Sequence, residues 1–260
     1  MHLLLYGPGR LGGAIAAAAT AQGWRVTTMR RPAADGTRPA APTADVVVDA
    51  SLGTALAGNV AHALAGGNRS FILAATGWEA DRPRVRAMLA EHDATAVVAA
   101  NLSLGAALFL RLAERAAAWY ARAGAFEPSI VEWHRRGKAD RPSGTARAIA
   151  RRIVAVDPRW AGPDEPDATD ATDATDATDA RPPLEVAGIR AGAAPGSHLV
   201  TFDGPGESIE LRLTARDRSA YADGALAAVR WLTATTRAPG MHSFDEVVDD
   251  LLDEPVAVPA

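Results

Sequence analysis

The chain has 260 residues, 48% hydrophobic and 22% charged, with a formal net charge of −4. That is enough length for a sizeable core in one large domain or two modest ones, and the acidic balance argues against a nucleic-acid partner while leaving room for a local basic site. The lack of cysteine excludes disulfides, thiolate zinc and a cysteine nucleophile, and no run of about 18 apolar residues marks a membrane span, so a cytoplasmic protein with no membrane partner is expected.

Residues 2–6, HLLLY, are a short apolar run ending in glycines, which reads as a buried parallel strand and not as a signal peptide. The alanine-rich stretch 13–22 is a good helix, and strands are expected at 24–29, 45–50, 70–74 and 95–100, with helices at 55–65 and 81–92 between them. Strand and helix alternate with short joins, the pattern of an α/β fold built on a Rossmann-type parallel sheet with helices on both faces. After Asn101 the rhythm changes. A helix at 104–122, a strand at 126–133, a loop at 134–142 and a helix at 144–155 lead to a three-residue repeat, DATDATDATDATDA. The repeat has no large apolar side chain to bury and reads as a mobile, solvated insertion over 163–181, with metal binding by its aspartates as the weaker alternative. Strands at 184–190, 197–203 and 207–215 give this part an α+β character with an open mixed sheet, and helices follow at 219–236 and 243–252.

Gly7-Pro8-Gly9-Arg10-Leu11-Gly12 joins the first strand to the first helix. Such a turn lets backbone N–H groups approach a pyrophosphate: Gly7 permits the tight bend, Gly9 the close approach, and Gly12 the packing of helix on strand. The alternative is a tight turn that holds no ligand. The second strand ends in Met29-Arg30-Arg31-Pro32, where an acidic residue would suit free ribose hydroxyls. Two guanidinium groups suit a 2′-phosphate, so NADPH is the expected cofactor and NADH the alternative, unless the arginines are simply solvated.

The loop 134–142 gathers His134, Arg135, Arg136, Lys138 and Arg141, and Pro142-Ser143-Gly144-Thr145 opens a helix behind it. Ser143 is a candidate N-cap, and the N–H groups of Gly144 and Thr145 offer an anion site. With Lys138 and the arginines beside them, the stretch is either a receptacle for a small carboxylate or a basic surface loop. His134 and Lys138 are candidates to hold or give a proton. His2, His62, His92, His198 and His242 lack metal-ligand spacing and read as surface or core residues, so no metal is expected.

Glu132, His134, Lys138, Asp140, Pro142, Ser143, Gly144, Thr145 and Ala146 match the signature E-x-H-H-x-x-K-x-D-x-P-S-G-T-A, and on them the chain resembles the 4-hydroxy-tetrahydrodipicolinate reductases. Gly9-Arg10-Leu11-Gly12, Ala75-Thr76-Gly77-Trp78, Ala99-Ala100-Asn101-Leu102-Ser103, Arg190-Ala191-Gly192, Gly196-Ser197-His198 and Ala215-Arg216-Asp217-Arg218 are similar to further family segments. The resemblance implies reduction of a cyclic imine dicarboxylate by NAD(P)H in lysine and diaminopimelate synthesis, with hydride going to ring C4 and the 4-hydroxyl lost as water. It implies that His134 and Lys138 are catalytic and that Arg135, Ser143, Gly144, Thr145 and Arg218 hold substrate. Gly7, Pro8, Gly9, Arg10, Leu11, Gly12, Ala74, Ala75, Thr76, Ala99, Ala100, Asn101 and Leu102 would line the cofactor together with Arg30 and Arg31. It further implies a homotetramer built through the second domain's sheet, a dinucleotide domain of residues 1–103 and 219–260, and a substrate domain of 104–218. Arg135 replaces the family's second histidine, Trp133 adds bulk before His134, Ala75 replaces a threonine, and Leu213 stands where histidine is common. These departures keep two other functions in view: a related imine-acid reductase with a different substrate, and a non-catalytic sensor of a nucleotide or dicarboxylate.

Overall fold

The structure is a computed structural model that describes residues 1–33, 36–162 and 181–253. The insertion expected over 163–181 falls, but for Arg181, outside the described residues. The chain divides into two compact units, Met1–Leu104 with Arg218–Ala260, and Gly105–Asp217.

The first unit holds a six-stranded sheet. Its strands are β1 (His2–Tyr6), β2 (Arg25–Met29), β3 (Val46–Asp49), β4 (Ser70–Leu73), β5 (Thr95–Val98) and β10 (Gly240–Ser243), in the order β10-β5-β4-β3-β1-β2. Every pairing is parallel. Both faces of β1 and β3 are covered, which is why their sequences run apolar without alternation. Leu4, Tyr6, Val47, Phe71 and Leu73 pack against Leu56, Val60 and Leu64 of α2 (Gly53–Ala65) and Val85 and Leu89 of α3 (Arg82–Glu91). The alternate positions, Leu3, Leu5 and Ile72, are buried toward α1 (Arg10–Ala21) and α6 (Ser219–Ala234), which pack on one another and on β1, β4 and β5. β1 lies between β2 and β3, so the strand order reverses there, and the Gly7–Gly12 turn leaves the sheet at that switch point.

Two expectations need correction. The first helix begins at Arg10 with Gly9 as its N-cap, not at 13, so the glycine turn runs straight into the first helical turn. And the helix expected over 243–252 begins at Phe244, because Ser243 ends Gly240–Ser243, a strand not foreseen, which pairs with β5 at the sheet edge. Its sequence, GMHS, has no apolar run to announce it.

The second unit holds all but the first residue of α4 (Leu104–Ala123), together with β6 (Glu127–His134), α5 (Gly144–Val156), β7 (Val186–Arg190), β8 (Ser197–Asp203) and β9 (Ser208–Thr214). Its mixed sheet has the order β7-β6-β8-β9, parallel between β6 and β7 and antiparallel elsewhere. Phe109, Ala113 and Ala117 of α4 meet Ile149 and Ile153 of α5 over Ile130, Val200 and Phe202 of the sheet. The register sets Glu132 beside His198 and His134 beside Arg190. Helix α7 (Phe244–Asp253) follows β10, and no helix among the described residues is long and apolar enough to cross a membrane.

Candidate active site

In the first unit the glycine turn is tight at both ends and open in the middle. Gly7 has φ +81°, and a Cβ there would come within 2.5 Å of the Ser51 backbone. A Cβ on Gly12 would come within 2.1 Å of the Gly7 carbonyl oxygen. A Cβ on Gly9 would meet nothing within 4 Å. Pro8, Gly9 and Arg10 are exposed, so backbone and guanidinium face outward at the strand end. Leu11, Ala74, Ala99, Ala100 and Leu102 line a cavity of about 160 Å³ with Arg218 and Tyr221. Arg218, expected at the substrate, thus belongs to the first unit and lines this cavity, and Tyr221 was not foreseen. Ala75 and Thr76 border a second cavity of about 310 Å³ with Trp78, Arg82, His242 and Glu246. Asn101 Oδ1 accepts from the Ser103 N–H at 2.9 Å, which fixes the segment after β5.

Arg30 and Arg31 are exposed beyond the end of β2. Arg38, which no motif singles out, braces Arg30: its Nε donates to the Arg30 carbonyl at 3.2 Å and its Nη2 to Asn59 Oδ1 at 2.6 Å. Asn59 Nδ2 in turn donates to the buried Asp49 carboxylate at 2.9 Å. Burial pushes that carboxyl up, against the hydrogen bonds from Ser51 and Asn59.

In the second unit, strand alternation puts Ile130, Glu132 and His134 on one face of β6, so Glu132 continues the core face toward the start of α5. Ser143 is the N-cap expected: its Oγ accepts from the Ala146 N–H at 3.2 Å. Its own N–H donates to Glu132 Oε1 at 2.9 Å, and Arg190 Nη2 donates to the same oxygen at 2.7 Å. His134 Nδ1 lies 3.2 Å from Glu132 Oε2, and His198 Nε2 lies 3.2 Å from Ser143 Oγ. The two imidazoles stand edge to face with centroids 5.2 Å apart. Lys138 Nζ meets Asp140 Oδ1 at 2.7 Å.

The charges of this cluster balance in a definite way. Burial alone would raise the Glu132 carboxyl, but hydrogen bonds from Ser143 and Arg190 outweigh it and hold the group below the usual carboxylate range. Burial lowers His134, and Lys138 and Arg190 lower it further against the pull of Glu132. Burial and the neighbouring His134 push His198 down to about 4. At neutral pH the cluster therefore holds one carboxylate, one guanidinium and two neutral imidazoles. Lys138 first, then the backbone N–H of Asp140 itself and that of Gly144, hold the Asp140 carboxyl below the usual carboxylate range against its slight burial.

The cationic loop is not one cluster of arginines. Arg135 and Arg136 are exposed, and Arg141 turns away to donate to the Gly188 carbonyl on β7. Gly144 is exposed and Thr145 half-buried at the N-terminus of α5. Trp133 points to the other face of β6, where Arg212 lies 5.7 Å over its ring. Leu213 pairs with His198 and packs on the unit's core. Arg190 stood in the sequence only as part of a similar segment and Glu132 only as a motif match, while His198 read as a surface or core residue; none was expected to have a role, yet His198 is buried against Ser143 and Glu132. Their signal was present in those segments but required β7 and β8 to be aligned on β6. Glu132, His134 and His198 also place three metal-type ligand atoms within 4.8 Å of one another, a grouping their spacing in sequence does not reveal. Arg190 on Glu132 and Lys138 nearby oppose a dication there, so the arrangement suits proton handling better than metal binding.

A family profile described as dihydrodipicolinate reductase, C-terminus, matches residues 105–248. The 4-hydroxy-tetrahydrodipicolinate reductase of Rhodopirellula baltica is 35% identical over 211 residues, covering 80% of this chain and 72% of the relative. That of Myxococcus xanthus is 36% identical over 214 residues, covering 80% of this chain and 73% of the relative. Among solved structures, dipicolinate-bound dihydrodipicolinate reductase from Paenisporosarcina sp. TG-14 shares the fold with a TM-score of 0.68 at 18% identity, over 94% of this chain and 97% of that one.

Proposed function

This chain belongs to the 4-hydroxy-tetrahydrodipicolinate reductase family of pyridine-nucleotide-dependent oxidoreductases, and from that premise we propose that it reduces 4-hydroxy-tetrahydrodipicolinate to tetrahydrodipicolinate with NADPH. One proton is taken up, hydride reaches ring C4 and water leaves. The finer form of the proposal is a cytoplasmic homotetramer of lysine and diaminopimelate synthesis.

The observation that carries the proposal is the set of groups at the start of α5: Lys138, the exposed Gly144 and the half-buried Thr145 beside two neutral imidazoles. Backbone N–H groups and an ammonium recognise a carboxylate without taking its proton. His134, neutral and with its side chain 13% exposed, is placed to accept a proton or, once charged, to give one. Lys138 and the Gly144 N–H, both already turned to Asp140, would exchange or share that partner with a substrate carboxylate. Dipicolinate is the ligand named for the similar Paenisporosarcina protein, and it has two such carboxylates.

The first unit fits a dinucleotide by its geometry: a strand-end turn with room over Gly9, no room for a side chain at Gly7 or Gly12, and a cavity at the ends of β4 and β5. Gly7–Gly12 would hold the pyrophosphate, and Arg30 and Arg31 a 2′-phosphate. The dinucleotide, when bound, supplies the hydride. The test is NADPH oxidation with freshly prepared substrate. The protein should turn over at least 10²-fold faster than a His134→Ala, Lys138→Ala double variant, and equal rates would end this assignment. Arg135 and Leu213 favour a second reading, a different imino acid as substrate; better turnover of another cyclic or acyclic imine on a panel would select it.

A further inference from the structure

We propose that Glu132 is a positioning residue that holds His134 in one tautomer, with the proton on Nδ1 and Nε2 left open for the reaction. The proposal rests on the function above for the meaning of that proton, but the tautomer is a property of the chain alone.

Glu132 is fully buried, and its two oxygens have different surroundings. Oε1 accepts from Ser143 N–H and from Arg190, which fixes the carboxylate in ionised form and in orientation. Oε2 is buried and accepts from neither; among the described residues it has no aligned hydrogen bond. The same is true of His134 Nδ1, which faces it at 3.2 Å. Three buried polar atoms of the cluster lack partners, the third being Arg190 Nε; such atoms are costly, and a proton on Nδ1, with a small turn of the ring into line with Oε2, would satisfy two of them. His198 cannot serve Oε2 in its place. Its Nε2 stands 3.7 Å from that oxygen, beyond hydrogen-bond reach, and is engaged by Ser143 Oγ at 3.2 Å.

The other edge of the His134 ring is bordered by Gly196, which has φ +120°, and a Cβ there would lie 3.3 Å from Nε2. Glycine keeps that edge uncovered, and no described residue bonds Nε2. The ring thus has one nitrogen turned to a buried anion and one turned outward. This is the arrangement in which a carboxylate sets the tautomer and steadies the imidazolium formed when Nε2 takes a proton. The charged or titratable groups around the ring are Glu132 on its own strand, Arg190 on β7, His198 on β8, and Lys138 and Asp140 in the loop.

The experiment is ¹⁵N–¹H NMR of imidazole-labelled protein at pH 8, with the His134 signals assigned by their loss in His134→Asn. The wild-type spectrum should show Nδ1–H, and Nε2–H would overturn the proposal without any variant being needed. Glu132→Gln keeps an acceptor for Ser143 and Arg190 but turns an NH₂ toward Nδ1, so the tautomer should switch to Nε2–H. In that variant kcat should fall about 10²-fold or more, while the Kd for pyridine-2,6-dicarboxylate stays within about threefold. An unchanged tautomer with unchanged kcat overturns the proposal, and so does a loss of analogue binding as large as the loss of kcat. Nδ1–H in a protein that turns over no imine would remove the functional reading and leave the tautomer standing.

Discussion

Glu132 and Arg190, 58 positions apart, meet at 2.7 Å on adjacent parallel strands, and neither side chain is more than 10% exposed. A buried pair is most costly when only half of it is removed, because the other charge is left unpaired in low dielectric. Arg190→Leu should therefore destabilise the second unit by roughly 3–5 kcal/mol, and the Glu132→Leu, Arg190→Leu double variant should recover part of the loss. Urea unfolding at pH 7.5 measures both. A double variant less stable than Arg190→Leu alone would mean that the pair is not the unit of stability.

The glycine turn separates folding from binding. Gly12→Ala places a methyl 2.1 Å from the Gly7 carbonyl and must displace backbone, so both melting temperature and nucleotide affinity should drop. Gly9→Val points into open space and should leave the melting temperature within a degree or two of wild type. If a pyrophosphate lies on that backbone, the same variant should raise the NADPH Kd by at least about tenfold. Unchanged affinity in Gly9→Val would remove the nucleotide from this turn.

Arg30 and Arg31 should set the choice between cofactors. Replacing both by alanine should weaken NADPH by about 10- to 100-fold and NADH by little, in line with the loss of charge-assisted contacts to one phosphate. Isothermal titration with each cofactor decides it, and equal losses would show that the pair has no part in 2′-phosphate binding. Arg38→Ala, which frees the Arg30 carbonyl and Asn59, should weaken NADPH more mildly.

Stability should fall on the acid side of neutrality, and His198 should account for much of the slope. Its folded-state value is depressed to about 4 from 6.5, mainly by burial. Its contribution is therefore full above pH 6.5 and is lost as the pH falls from 6.5 to about 4, reaching roughly 3 kcal/mol at the acid end. His134, also lowered, acts in the same direction, and Glu132 adds to the loss below its unfolded value of 4.5. Urea midpoints between pH 7.5 and 5 should decline in wild type and flatten in His198→Gln. An identical slope in that variant would contradict the assignment.

Much of the architecture was legible because local signals were strong. The buried runs of β1 and β3 and the punctuation by Gly7–Gly12 define parallel α/β units without outside help. The Pro-Ser-Gly-Thr stretch located the start of α5 to the residue, since Ser143 caps it as its chemistry suggests. What stayed hidden depends on pairing across the sheet. GMHS becomes β10 only because β5 offers an edge. His198 and Arg190 join Glu132 only through the register of β7 and β8, and a lone histidine in an alternating strand carries no mark of that. Arg38 reaches Arg30 through a loop closure that no periodicity encodes.

The first unit is discontinuous: its edge strand β10 and its helix α6 come from residues beyond Arg218. On a ribosome, β5 is therefore made long before its outer hydrogen-bonding neighbour β10, and the face that α6 covers stays bare until the rest of the chain has emerged. The later unit, Gly105–Asp217, is contiguous and can close first. Synthesis thus runs against the usual amino-to-carboxyl order of domain completion, and a nascent chain stalled within the second unit would carry an exposed parallel edge, the kind of surface that recruits stray strands.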